Sequence, residues 1–182
     1  MQVRPAVVVG VDGSTESREA LRYALEEAAR RNTGVEIVSA FLPPQYRPNA
    51  YGLSAPPTPY EIKSDLRVIA LRMLDDVVAQ VPALASVPAE FHELEGRPAE
   101  VLIERARDAD LLVVGHRGRG GFASALLGSV GLQCVVHAEC PVTVVRPQPQ
   151  TATATDAKAE TAPADRPRDR VRVADSAVAP VY

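Results

Sequence analysis

Apolar residues recur along the first 146 positions in two alternating rhythms. Val7, Val8, Val9 and Val11 form an apolar run that stops at Asp12-Gly13, as a short strand buried on both faces and closed by a turn would. Ala20, Leu21, Ala24, Leu25, Ala28 and Ala29 then repeat at helical spacing. Ser14 is placed to cap that helix, Glu16 and Glu19 sit near its positive end, and Arg30 and Arg31 suit its last turn, with Gly34 expected to end it. Residues 35–42, VEIVSAFL, read as a second strand. A loop with Pro43, Pro44, Pro48, Pro56 and Pro57 follows and is expected to act as a flap.

Thr58-Pro59-Tyr60-Glu61 combines a cap, a proline at the first helical position and a glutamate placed to complete a capping box. Ile62, Leu66, Ile69, Ala70, Met73, Leu74, Val77 and Val81 trace one face of the helix it opens. EFHELEG, residues 90–96, is a more polar third strand and is expected at a sheet edge. Pro98 opens a third helix, LLVVG at 111–115 is a fourth and fully apolar strand, residues 128–138 read as a helix, and PVTVV at 141–145 is the last strand.

Strands and helices thus alternate, and no two strand runs are joined by a two-residue hairpin turn. The order predicts an α/β three-layer sandwich: a five-stranded parallel sheet with helices on both faces. Ligands of such sheets sit beyond the carboxyl ends of the strands, where the winding direction reverses. The first strand ends in Asp12-Gly13-Ser14 and the fourth in Gly115-His116-Arg117-Gly118. Making these two strands neighbours at the switch point gives the order 3-2-1-4-5.

Composition narrows the partners. The chain has 182 residues, 46% apolar and 24% charged, enough for one domain with a substantial core. A formal net charge of -3 argues against nucleic acid, whose electrostatic capture needs a basic surplus. The opening MQVRPAVVVGVDGS reaches a strand too soon for a leader sequence, and no apolar run approaches a membrane span, so a cytoplasmic protein is expected. Cys134 and Cys140 have neither redox-pair spacing nor zinc-ligand neighbours and read as buried thiols. From Pro147 on there is no Leu, Ile, Met or Phe. Residues 1–147 are therefore expected to form the domain, and 148–182 a disordered tail rich in Ala, Pro and charge.

The stretch VVGHRGRGGFASALLGS, residues 113–129, concentrates glycine between a buried strand and a helix start. Glycines let backbone amides approach a ligand, and a helix start offers unpaired N–H groups, which together describe an anion site. Ser129 could serve as both cap and phosphate donor, and Arg117 or Arg119 could add a charge-assisted contact. The stretch is not a Walker loop, and no GxGxxG follows a strand. Its spacing is Gly115, two residues, Gly118, nine residues, Gly128, then Ser129.

That G-x2-G-x9-G-[ST] pattern resembles the ATP-binding signature of the universal stress proteins, and VVVGVDGS and CPVTVVRP resemble that family's first and last strands. The resemblance spans residues 5–147 and implies the same 3-2-1-4-5 sandwich. It implies that Gly115, Gly118, Gly128 and Ser129 hold the ribose and phosphates of ATP, with Val130's amide in the phosphate cradle. Asp12, with Gly13 beside it, would face the ribose, Ala40 would line the base pocket, and Mg2+ would accompany the triphosphate. One departure stands out: many ATP-binding members carry Ser or Thr two places after the signature serine, and this chain has Gly131.

His116 lies in the proposed phosphate loop, but no Ser-His-Asp order, carboxylate pair or metal-ligand spacing accompanies it. The last strand, at an apolar sheet edge, invites pairing with a second copy, so a homodimer through residues 141–146 is expected. The leading expectation is a nucleotide-dependent homodimeric regulatory switch of the stress response, with protein partners left unidentified. The alternatives are a slow ATPase or phosphotransferase using the same site, or a dimerisation module that no longer binds nucleotide.

Overall fold

The computed structural model describes residues 7–43, 57–118 and 127–147. All of them fall within the unit Met1–Gln148. Most of the expected flap (44–56), Arg119, Gly120 and Gly121, and the expected tail (148–182) lie outside the described residues.

The described chain runs β1 (Val7–Gly10), α1 (Thr15–Arg31), β2 (Val35–Phe41), α2 (Pro59–Gln80), a 3₁₀ helix (Pro82–Ser86), β3 (Ala89–Glu95), α3 (Pro98–Arg105), β4 (Leu111–Gly115), α4 (Ser129–His137) and β5 (Val142–Val145). The strands form one sheet of order β3-β2-β1-β4-β5, the order expected from the sequence. Every pairing is parallel; β1, at the centre, aligns Val7 with Val35 on one side and with Leu111 on the other.

Alternation along the strands divides the core in two. Val7, Val9, Ile37 and Val113 pack with Leu21 and Leu25 of α1 and Met73 and Val77 of α2. Val8, Val38, Leu112 and Val114 pack on the opposite face with Leu102 of α3 and Cys134 of α4. Leu21 and Leu25 are fully buried, and each such leucine contributes roughly 1.5–3 kcal/mol of transfer free energy. The three layers follow directly from this two-sided burial.

Helix ends show where local chemistry decided the boundaries. The Ser14 hydroxyl accepts the Ser17 amide and caps α1. The helix ends at Asn32, not at Gly34: Asn32 is in the left-handed region at φ 53° and its N–H reaches the carbonyls of Ala28 and Ala29. Asparagine tolerates that conformation, so no glycine is needed. Gly34 instead packs at the base of the sheet, where a Cβ would lie 3.1 Å from the Pro88 carbonyl oxygen. The Thr58–Glu61 capping box forms in full. The 3₁₀ helix was not expected; Pro82 opens it and Leu84, 5% exposed, anchors it to the core.

β2 carries a charged residue, Glu36, in a strand that is otherwise apolar but for Ser39. Glu36 is 7% exposed, and its Oε2 accepts from Arg105 Nε at 2.9 Å and from the terminal guanidinium nitrogen at 2.6 Å. Glu90 is its register partner on β3, and His92 Nε2 lies 3.8 Å from both carboxylates. Arg105 thus neutralises the carboxylate that β2 would otherwise bury uncompensated. Among the described residues, no helix is long and apolar enough to cross a membrane.

Candidate functional site: a crevice at the ends of β1 and β4

β1 sits between β2 and β4, so the chain winds away from it in both directions, and a crevice of about 730 Å³ opens there. Asp12, Ala40, Gly115, Arg117, Gly118, Gly128, Ser129 and Val130 all line it. Gly13 is not in the lining. Its φ of 83° makes the turn that joins β1 to α1.

Asp12 is held by the helix it precedes. Its Oδ1 accepts from the Ser14 amide at 3.0 Å and from the Ser14 hydroxyl at 2.6 Å. Its own N–H donates to Ser17 Oγ at 3.3 Å. One carboxylate therefore orients the α1 cap and borders the crevice. Opposite it, a Cβ added at Gly118 would lie 2.5 Å from Asp12 Oδ2, and one at Gly115 would lie 3.0 Å from the Glu16 carbonyl carbon. Bare backbone at these positions is a condition of the close approach between the β4 loop and α1.

The entry to α4 differs from the expectation. The N-cap is Gly128, no side chain caps the helix, and the Ser129 hydroxyl takes no capping role. Ser129 stands one residue past the N-cap, the position from which a side chain accepts the N2 or N3 amide. The first intrahelical bond runs from the Leu132 amide to the Gly128 carbonyl at 2.9 Å, so the amides of Ser129, Val130 and Gly131 precede the ladder. The Gly128 amide donates to the His116 carbonyl at 2.8 Å, and the His116 amide to the Val145 carbonyl at 2.8 Å. His116 thus joins β4, β5 and α4 through its backbone, while its buried Nδ1 has no hydrogen-bond partner among the described residues and its side chain is not in the described crevice lining.

Of the opposite wall, only Ala40 was expected from the sequence. Leu66 of α2 and Pro98 and Leu102 of α3 line it beside Val38 and Ala40 of β2. Leu66 was expected only as a member of an apolar helical face, and nothing local distinguishes it or Leu102 from residues that face the sheet. The crevice is therefore apolar toward β2, α2 and α3, and rich in glycine backbone toward β4 and α4. Among the described residues, one group of three possible metal ligands occurs, Glu36, Glu90 and His92. None of the three lines the crevice, and Arg105 already occupies Glu36.

Fold and crevice define a doubly wound α/β protein with a ligand-sized opening at its topological switch point. The family model described as Universal stress protein family matches residues 5–146, and the chain belongs to that family. A universal stress protein of Mycolicibacterium smegmatis is 34% identical over 152 residues, 80% of this chain and 47% of that one. One of Mycobacterium tuberculosis is 34% identical over 145 residues, 76% of this chain and 47% of that one. The chain spans about half the length of these curated relatives. Among solved structures, a universal stress protein in complex with cAMP superposes with a TM-score of 0.57 at 28% identity, covering 80% of this chain and 98% of that one.

Proposed function

We propose that the crevice binds an adenine nucleotide, ATP with Mg2+, and that its occupancy switches a cytoplasmic stress-response homodimer formed through residues 141–146. The observation that carries this is the pairing of an apolar wall with an uncapped helix entry across one opening of about 730 Å³, within the usual range for small-molecule sites. The solved relative in complex with cAMP supports an adenine nucleotide.

Each part of the ligand would meet a matching surface. Val38, Ala40, Leu66 and Leu102 offer a base an apolar slot; Asp12 offers a ribose hydroxyl an acceptor. The first-turn amides of α4, the Ser129 hydroxyl and Arg117 offer donors to phosphate, helped by the positive end of the helix. Asp12 is the one carboxylate among the described lining residues, so Mg2+ would be held largely by phosphate oxygens and water. His116 is not in the lining. The reading is accordingly binding, with at most slow hydrolysis. β5 is a sheet edge whose four residues are all partly exposed, which suits pairing with a second copy.

Titration of the full chain with ATP, ADP and AMP tests the ligand. A nucleotide at a hundred times its dissociation constant stabilises by about 2.7 kcal/mol, which raises the melting temperature of a chain this size by roughly 5–10 °C. If millimolar ATP, ADP and AMP all leave the melting temperature unmoved and produce no heat of binding, the reading fails. Ultracentrifugation with and without nucleotide tests the dimer; a monomer under both conditions removes the switch.

A further inference from the structure

Glu36 and Glu90 are register partners on β2 and β3, and such like charges side by side on neighbouring strands repel. Arg105, in the last turn of α3, answers only one of them. Both of its bonds to a carboxylate end on Glu36 Oε2, while Glu90 faces His92 Nε2 at 3.8 Å. The cluster therefore keeps one negative charge over.

The guanidinium nitrogen 2.6 Å from Glu36 Oε2 also lies 3.3 Å from His92 Nε2. A guanidinium has donors only, so a hydrogen bond between them requires Nε2 to offer its lone pair. That is the form in which imidazole binds a metal. A positively charged nitrogen thus already stands where the acceptors of Glu36 and His92 converge. One ligand atom from each of Glu36, Glu90 and His92 lies within 4.8 Å of the others, and His92 Nε2 is 3.8 Å from both carboxylates. Ligands of a tetrahedral zinc ion lie roughly 3.3–3.5 Å apart, given bonds of about 2.0–2.2 Å. Glu90, with 67% of its side chain exposed, is placed to close that difference by rotation.

The geometry points to a binding site for Zn2+ or a similar first-row divalent cation on Glu36, Glu90 and His92, in which Arg105 is the resident cation that the metal displaces. Two carboxylates match the charge of a divalent ion, and a donor set that includes imidazole selects such an ion over Mg2+ and Ca2+, which prefer oxygen. Arg105 has 36% of its side chain exposed and can swing into water. Its bonds to Glu36 must break first, so it holds the metal affinity down. None of the three ligands lines the crevice, and the site is independent of the nucleotide reading.

Calorimetric titration of the full chain with Zn2+, beside Mg2+ and Ca2+, tests it on wild type, His92→Gln, Glu90→Gln and Arg105→Met. The wild type should bind Zn2+ in preference to either hard cation, and NMR should show the His92 ring nitrogens shifting as Zn2+ is added. His92→Gln and Glu90→Gln should each weaken Zn2+ binding by about tenfold or more. Arg105→Met, which removes the competing cation, should tighten it several-fold, and Zn2+ should raise the melting temperature of that variant more than that of the wild type. Zn2+ binding that His92→Gln and Glu90→Gln leave unchanged would place the ion elsewhere and overturn the inference. No Zn2+ binding by either wild type or Arg105→Met would overturn it too, as would an Arg105→Met variant that binds no more tightly than wild type. His92 and Glu90 stand at the sheet edge, so their variants keep the test decisive if Arg105→Met impairs folding.

Discussion

Replacing Gly118 by alanine isolates one contact. The positive-φ glycines among the described residues are Gly13 and Gly96, so alanine meets no backbone strain at 118. Its Cβ would lie 2.5 Å from Asp12 Oδ2, against roughly 3.3–3.6 Å for an unforced carbon–oxygen approach. Close to 1 Å of movement is required. Asp12 resists it through the Ser14 amide at 3.0 Å and the Ser14 hydroxyl at 2.6 Å. Ser14 in turn caps α1 through the Ser17 amide at 3.2 Å. Disturbing a cap costs about 0.5–2 kcal/mol, so Gly118→Ala should lower the melting temperature by roughly 1–8 °C. The assay is thermal unfolding of wild type, Gly118→Ala, Asp12→Ala and the double variant. If the Asp12 contact is the cause, alanine at 118 should cost almost nothing in the Asp12→Ala background, giving a coupling energy of about 1 kcal/mol. Equal cost in both backgrounds, or no cost in either, would refute the reasoning by showing that the loop yields instead.

Ala40→Phe should fill the apolar end of the crevice and weaken binding of every adenine nucleotide, with little loss of melting temperature, as titration beside thermal unfolding would show. Arg105→Met strands the Glu36 carboxylate, 7% exposed; with Arg105 itself partly hydrated, the expected loss is about 2 kcal/mol in urea unfolding, mostly recovered in Glu36→Met/Arg105→Met. Burial first, and then the neighbouring Cys140, push the Cys134 thiol up from 9.0 to about 11. The folded state therefore holds a proton that the unfolded state has released, and this contribution is intact below pH 9.0 and lost as pH rises to about 11. Urea unfolding should show an alkaline decline that is shallower in Cys134→Ala. Glu61 is held below its ordinary 4.5 by the Thr58 amide first and the Thr58 hydroxyl second. The contribution is present above that ordinary value and lost as pH falls through the depressed one. In Thr58→Ala, proton titration followed by NMR should show the Glu61 carboxyl moving back up.

The features legible in the sequence were those written in adjacent residues. Ser14 and Thr58 with Glu61 mark helix starts because capping uses side chains within one turn of the end, and Pro98 marks one because its fixed φ and missing N–H suit the first helical position. The sheet order followed from the two polar, glycine-containing strand ends at Asp12 and Gly115. What stayed hidden depends on distant segments. Nothing adjacent explains Glu36 in its strand; α3, 69 residues further along, supplies the Arg105 that permits it. Leu66, Pro98 and Leu102 reach the crevice by tertiary packing alone. The end of α1 was misplaced for a local reason: Asn32 and Gly34 can both supply a left-handed residue, and the nearer one took the role.

The double duty of Asp12 bears on how this site would change under selection. A lineage that ceased to use the ligand would still need a carboxylate at 12 to hold Ser14, and Gly118 to leave room for it. Both residues would persist for the sake of α1, and their retention in a relative would say nothing about what that relative binds. Ser129 carries no such obligation. Drift at that hydroxyl, with Asp12 and Gly118 intact, is the trace that abandonment of the ligand would leave.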